Sequence, residues 1–423
     1  MKIAIIGSGI SGLTCGYYLA KEHDITVYEA NDYIGGHTAT KRVVVQGELV
    51  TVDTGFIVYN ERTYPNFIQL LNEIGVKGRP TSMSFSVRND ANGLEYNGHT
   101  LSTLFAQRSN WFSPRFYRFI FEIICFNRLA KQQAQSSAQD ETLGDFLSQH
   151  SFSTFFSENY ILPMGAAIWS STLADMRAFP LRFFLRFFLN HGLLDIVNRP
   201  QWYVIEGGSD AYIAPLTEQF KANIRLNAPV TRVARDAAGV MVQSNGAVER
   251  YDQVIFACHS DQALRLLDDP NEDESKILSA MRYQANEVVL HTDTSLLPTR
   301  PAAWAAWNYH LSGEEGQEQR LPSLTYNMNI LQHINAPETL CVSLNCSDAL
   351  DSDKIIDAYT YHHPVFTRES IAAAQNKSQV NGVNRTWYCG AYWHNGFHED
   401  GVRSALDVIS GINRVSLAAK GAA

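Results

Sequence analysis

Several protein classes are excluded by what this sequence lacks. No uninterrupted apolar run reaches the roughly 18 residues that a membrane-spanning helix needs. The six cysteines, at positions 15, 125, 258, 341, 346 and 389, form no C-x-x-C pair. Scattered thiols argue against a disulfide scaffold or thiolate metal site and fit reduced core residues of a cytoplasmic protein. Positive charge is also short: 34 Lys and Arg face 43 Asp and Glu, a formal charge of -9. That balance argues against nucleic acid as a partner. No spacing marks a metal site, and no G-x-S-x-G marks a hydrolase. The apolar opening is followed by no small-residue cleavage site, so it reads as structure rather than as a signal peptide. Only one dinucleotide fingerprint occurs, which argues against a flavoenzyme reduced by a pyridine nucleotide.

What is present is a 423-residue chain, 45% apolar and 11% aromatic, long enough for two domains or one domain with a large insertion. The run Ile3-Ala4-Ile5-Ile6-Gly7-Ser8-Gly9-Ile10-Ser11-Gly12 is a short apolar segment ending in G-x-G-x-x-G. Such a pattern predicts a buried strand turning into a helix whose free N–H groups face a phosphate. Glu29 closes the next apolar run, where a carboxylate accepts hydrogen bonds from an adenosine ribose. Ala30 follows it, and the glycines Gly35 and Gly36 suggest a second close approach to the same phosphates. Alternating valines on either side of Gly47 predict a hairpin leading into Asp53-Thr54-Gly55-Phe56.

Residues 65 to 80 read as a helix stopped by Gly75. From about 103 to 200 aromatic residues crowd helical stretches, with Arg115, Arg118 and Arg128 in one and Arg182 and Arg186 in another. Two readings stay open here: core helices with arginines at the rim, or an aromatic lid and interfacial helix that meets anionic lipid. A helix is expected from Gly208 to about Phe220, and a buried strand at 251 to 258. The alternating block Trp304 to Tyr309 and the run Tyr326-Asn327-Met328-Asn329 suggest a lined cavity, because buried asparagines need partners. Near the C-terminus, Gly390-Ala391 and the turn through Gly396 and Gly401 precede a helix whose positive end suits a site where negative charge gathers.

In order along the chain, the G-x-G-x-x-G and its acid, the Gly35-Gly36 pair, Asp53-Thr54-Gly55 and the closing glycine turn resemble the flavin amine oxidase and phytoene desaturase superfamily. Gly35-Gly36-His37-Thr38, Trp304 to Tyr309, Tyr361 to Phe366 and Gly390 to Gly401 narrow the resemblance to bacterial FAD-dependent oxidoreductases associated with cyclopropane fatty acid synthases. The implied fold is α/β, a Rossmann-type FAD-binding domain whose sheet the 251 to 258 strand closes, with an inserted mixed-sheet and helical substrate domain. Its expected segments are 1–80, 201–264 and 381–423 for FAD, 81–200 for a helical lid, and 265–380 for substrate.

The resemblance implies noncovalent FAD, held by Gly7, Gly9, Ile10, Ser11, Gly12, Glu29, Ala30, Gly35, Gly36, His37, Thr54, Gly55, Phe56, Val230, Gly390, Ala391, Phe397, His398 and Val402. His37 stands where the amine oxidases have arginine, so a group titrating near neutrality replaces a fixed charge. No lysine lies between Lys276 and Lys354, where many amine oxidases place one beside the flavin. A substrate pocket is expected from Trp304, Trp307, Asn308, Met328 and Asn329. Tyr309, Tyr326, Phe397 and His398 are the catalytic candidates, His398 as general base; His99, His291, His362 and His363 read as structural. The implied reaction is removal of hydride from a hydrophobic substrate, an unsaturated fatty acyl chain of a lipid. Amine oxidation, fatty-acid isomerisation, and binding of lipid or a partner synthase with little turnover stay open. So does contact with the inner membrane surface.

Overall fold

The computed structural model describes residues 1–134, 141–169, 171–195, 198–312 and 323–421. The opening apolar run forms β1 (Lys2–Ile6), with Ile3, Ala4 and Ile5 fully buried. Gly7, at φ +106°, turns the chain into α1 (Ile10–Leu19), which carries no charged residue and is buried nearly all round. A helix apolar on every side must be covered on every side. The sheet covers one face of α1, and the C-terminal helix His398–Gly421 covers the other. β2 (Asp24–Tyr28) pairs with β1 in parallel, Ile3 opposite Ile25.

The sheet runs in the order Ile224–Arg225, β2, β1, Gln253–Phe256, Thr386–Tyr388, all parallel. The strand inside the 251 to 258 run is therefore an interior strand. The expected closing position belongs to Thr386–Tyr388. Two further expectations change. The helix expected over 65 to 80 spans only Pro65–Glu73, because Gly75 takes φ +74° and Gly78–Thr81 forms a strand. The helix expected to reach Phe220 is a short 3-10 turn, Ser209–Tyr212, and one helical turn, Ile213–Thr217. The valine hairpin forms as Thr40–Val45 and Glu48–Asp53, with Gln46 and Gly47 both at positive φ.

A second, seven-stranded mixed sheet takes its strands from 85–97, 282–311 and 323–365. Against one end of it packs a helical layer whose core is aromatic: Phe116, Phe119, Phe126, Phe146, Phe156 and Phe184 are all buried. In the helix Leu181–Asn190, Leu181, Phe184, Leu185, Phe187 and Phe188 face inward while Arg182 and Arg186 face solvent. Each buried large side chain stabilises by roughly 1.5–3 kcal/mol. That helix is a core helix with rim arginines.

An ion pair ties the antiparallel three-stranded sheet of residues 230–251 to the helix Glu272–Ser279 and, through Tyr388, to the nucleotide-binding sheet. Arg235 donates to both oxygens of Glu274, at 2.5 and 2.9 Å, and the Tyr388 hydroxyl donates to the same carboxylate at 2.7 Å. Both charged side chains are almost wholly buried. Burial raises the Glu274 pKa, but Arg235, the Asn271 amide and Tyr388 outweigh it and hold the value below its usual range. The resulting stability is present above the unfolded value of 4.5 and is lost as pH falls through the folded one. Glu274→Ala leaves the buried Arg235 guanidinium with only the exposed Asp269 as a charged partner and costs about 3 kcal/mol, read as a lower urea midpoint. The double variant Arg235→Met, Glu274→Leu recovers most of that loss; a double variant no better than the single would count against the pair.

Candidate active site

Glycines build the floor of the site. A Cβ on Gly7 would lie 2.8 Å from the Ala257 carbonyl oxygen, and one on Gly12 would lie 2.0 Å from the Gly7 carbonyl oxygen. Gly12 therefore shapes the loop without lining the cavity, whereas Gly7, Gly9, Ile10 and Ser11 line it. Gly9 is the N-cap of α1 and offers no side chain to the first amides of the helix. Those amides are left for a ligand. Glu29 braces the loop: one oxygen accepts from the Ser8 amide at 3.0 Å and hydroxyl at 2.5 Å, the other from the Asn31 amide at 2.9 Å. Ala30, Tyr33, Val230 and Leu266 line the cavity beyond it.

A second lap of chain lies on this loop. The Gly35 amide donates to the Ser8 carbonyl at 2.9 Å, and Gly36 packs against Gly9. Next to it the Phe56 amide donates to the His37 carbonyl at 2.7 Å, where a Cβ on Gly55 would clash. Gly35, Gly36, His37, Thr54, Gly55 and Phe56 all line the cavity. Asp53 anchors the lap from behind, accepting from Thr40, from the Ser209 amide and hydroxyl and from Gln332. Burial, offset in part by those donors, pushes its pKa up to about 6. From the other end of the chain, Gly390, Ala391, Phe397 and His398 reach the same cavity, while Val402 packs into the core beside α1. The Asp400 carboxylate accepts from the Asn395 and Phe397 amides at 3.1 and 3.0 Å and so fixes the turn that presents Phe397.

The cavity holds about 1300 Å³ and continues past Phe397 into the helical layer. Trp307 and Tyr326 line it and meet edge to face at 5.4 Å. The rest of the expected pocket does not. Tyr309 shares the Trp307 face of its strand but lies two residues further along, inside the aromatic core. Asn308 is buried with its amide bonded to Ser86 and to the carbonyls of Ala305 and Thr325. Trp304 donates to the Pro298 carbonyl, Met328 is core, and Asn329 clamps Glu338 and Leu340. Protein partners, rather than a cavity, satisfy these asparagines.

His398 is also corrected as a base. Its Nε2 lies 3.1 Å from both the Thr38 and Tyr212 hydroxyls, and its ring stacks on Phe56 at 3.6 Å. Burial, with His37 nearby, lowers its pKa to about 3. A neutral imidazole held by two hydroxyls positions the wall and is a weak proton acceptor. Of the histidines read as structural, His291 is one, bonded to Ser343 at 2.7 Å. His99, His362 and His363 instead line the cavity. Sequence reasoning also missed Phe85, Tyr96, Tyr160, Met164, Trp169 and Phe187, which line the far end. Only the aromatic density of 103 to 200 pointed there.

A sequence model of the flavin containing amine oxidoreductases matches residues 10–352. The chain belongs to that family, whose members carry FAD. A Mycobacterium tuberculosis protein named flavin-containing monoamine oxidase AofH is 24% identical over 271 residues, 61% of this chain. The match spans 56% of that relative's length. The 15-cis-phytoene desaturase of Synechococcus elongatus is 35% identical over 80 residues, 19% of this chain and 16% of the desaturase. Among solved structures, a CLA-producing fatty acid isomerase from P. acnes aligns with a TM-score of 0.68 at 16% identity, over 96% of this chain and 97% of that one. A cyclohexylamine oxidase from Brevibacterium oxydans gives 0.68 at 15%, over 97% and 98%. At such identity the likeness is one of fold.

The family's cofactor fits the residues present. Two glycine loops and an uncapped helix N-terminus make a cradle, and open space lies where a Gly9 side chain would stand. Gly9 has φ -70°, which any residue tolerates. Gly9→Leu therefore folds but fills the cradle: circular dichroism stays unchanged while flavin retained through purification falls by about tenfold or more. A yellow Gly9→Leu protein with full occupancy would remove the opening loop from the site. Among the described residues no group of three His, Cys, Asp or Glu is arranged to hold a metal, and no helix is long and apolar enough to cross a membrane.

Proposed function

We propose that this protein is an FAD-dependent oxidoreductase that takes a hydride from the unsaturated acyl chain of a membrane lipid. One observation carries the proposal: the cavity opens beside an apolar and basic surface. Gly98 and His99 both line the cavity and are exposed, and the chain then runs directly into a stretch rich in exposed apolar side chains. There Leu101 is 76%, Phe112 89% and Phe121 64% exposed, with Trp111, Tyr117 and Ile124 beside them in sequence. Arg108, Arg115, Arg118 and Arg128 are exposed in the same stretch. From 101 to 133 the one acidic residue is Glu122, turned inward to Ser153. In a chain of charge -9 this segment is basic and greasy, which suits an anionic lipid surface.

The far end of the cavity supports an acyl chain over an amine. Glu29, at the loop end, is the sole carboxylate among the described lining residues, so the aromatic end offers no carboxylate to an alkylammonium ion. Bound FAD supplies a hydride acceptor. Phe187 and Phe397 stack at 5.2 Å and, with Trp307 and Tyr326, form walls that orient an extended chain and exclude water. His191 is held through Nδ1 by the Phe187 carbonyl, and burial lowers its pKa to about 4. Hydride removal from carbon depends on position and dryness more than on acids and bases. The resemblance to oxidoreductases associated with cyclopropane fatty acid synthases supports the same substrate class.

Anaerobic mixing with vesicles of unsaturated anionic phospholipid should bleach the flavin absorbance, while putrescine and cyclohexylamine should leave it unchanged. Bleaching by amines alone would overturn the lipid reading in favour of an amine oxidase. Bleaching that reverses without an acceptor, with the double bond moved, marks an isomerase. In co-sedimentation, Phe112→Asp with Phe121→Asp should lower vesicle binding by about tenfold or more. Equal binding by the variant would count against this face as the docking surface.

A further inference from the structure

Eight of the chain's 13 histidines line the cavity, against two arginines, Arg199 and Arg265, and no lysine. Neither arginine is free: Arg199 donates to the Asp195 carbonyl at 2.9 Å, and Arg265 pairs with Asp261 at 2.8 Å. The family's cofactor brings a diphosphate with two negative charges, and the amides at the start of α1 offer only partial positive charge. The balancing charge has to come from elsewhere.

Imidazoles from separate elements converge beside the opening loop. His37 follows Gly36, the residue packed on Gly9. Its ring lies 6.1 Å from that of His259, at the end of the interior strand's loop, and 5.7 Å from that of His363, on the strand Ile355–Val365. The His37 Nε2 is shut off from solvent and bonds to nothing in the protein. A buried, unpartnered ring nitrogen beside a phosphate cradle is costly unless a ligand completes it.

We infer that His37, within this histidine cluster, takes up a proton from solvent as FAD enters and becomes the cation that balances the diphosphate. In protonated form both ring nitrogens donate, and the Nε2–H then has an acceptor. The charged and titratable groups facing His37 are consistent with this. From the 259–265 segment come His259, capping its helix and stacked on Tyr283 at 4.1 Å, and the neutralised pair Asp261 and Arg265. From the strand come Tyr361, His362 and His363, and from the C-terminal helix His398. Glu29, at the end of β2, spends its oxygens on Ser8 and Asn31. The one fixed cation among them, Arg265, is already paired with Asp261 and so does not make a proton on His37 unnecessary.

Without ligand, burial lowers the His37 pKa from 6.5, an effect only partly offset by the His362 backbone, and His259 and His363 fall to about 4 and 3, burial again the largest cause. A dianion raises them. Affinity for FAD is therefore full at acidic pH and is lost as pH rises through the bound-state value. The test uses holoprotein diluted at pH values from acidic to mildly alkaline, with released FAD read by its fluorescence. Retention should weaken by about tenfold per pH unit across the window between the free and bound values. A pH-indicator dye should register protons set free as FAD leaves at mildly acidic pH. His37→Arg should keep FAD and flatten the dependence; His37→Gln should lose FAD at low pH as the wild type does at high pH. ADP, which carries the diphosphate, should show the same pH dependence in competition, and riboflavin none. A flat wild-type profile with no proton released, or an unchanged slope in His37→Arg, would overturn the inference. The wild-type proton count stands even if His37→Gln fails to fold.

Discussion

Two helices cross here at a spacing that only glycine permits. A Cβ on Gly401 would sit 2.7 Å from the Ile10 side chain, and the Ser11 hydroxyl bonds the Gly401 carbonyl at 3.0 Å. This contact joins α1 to the C-terminal helix, so the N-terminal ends of two helices meet at one cavity. The loops that line the cradle inherit their positions from it. Gly12 seats the opening turn, and Gly36 stacks the second lap on Gly9. Chain ends hundreds of residues apart thus build one site.

The two ends of that site differ in kind. At the loop end the wall is backbone amide, hydroxyl and imidazole, groups that bind charge and exchange protons. At the helical end it is mainly aromatic. A ligand with a polar head and an apolar reacting region would be sorted by these surfaces alone. His398 stands at the boundary as a neutral wedge, pinned by Thr38, Tyr212 and Phe56.

The loop end was legible in the sequence because backbone demands leave local signatures. Gly7, Gly9 and Gly12 sit at fixed offsets after an apolar strand, and Gly35, Gly36 and Gly55 lie where chains pass too close for a Cβ. The aromatic end was far less legible. Alternation within Trp304 to Tyr309 pointed to a cavity wall, yet could not tell that Trp307 meets the cavity while Tyr309 meets the helical core. That distinction depends on which neighbour covers each residue, a property of tertiary packing. The asparagines failed for a related reason: Asn308 is fully bonded by Ser86, Ala305 and Thr325, from three places in the chain. The histidine cluster was invisible for the same cause, since His37, His259 and His363 lie far apart in sequence.

The nucleotide-binding sheet takes its five strands from 2–6, 24–28, 224–225, 253–256 and 386–388. One edge of β1 is covered only by Gln253–Phe256, and that strand in turn by Thr386–Tyr388. On a ribosome the apolar strand made first waits, half-paired, for more than two hundred residues of later chain. Pairing over such separations is slow and leaves sticky edges open meanwhile. Slower translation between the second and fourth of these segments lengthens that exposure.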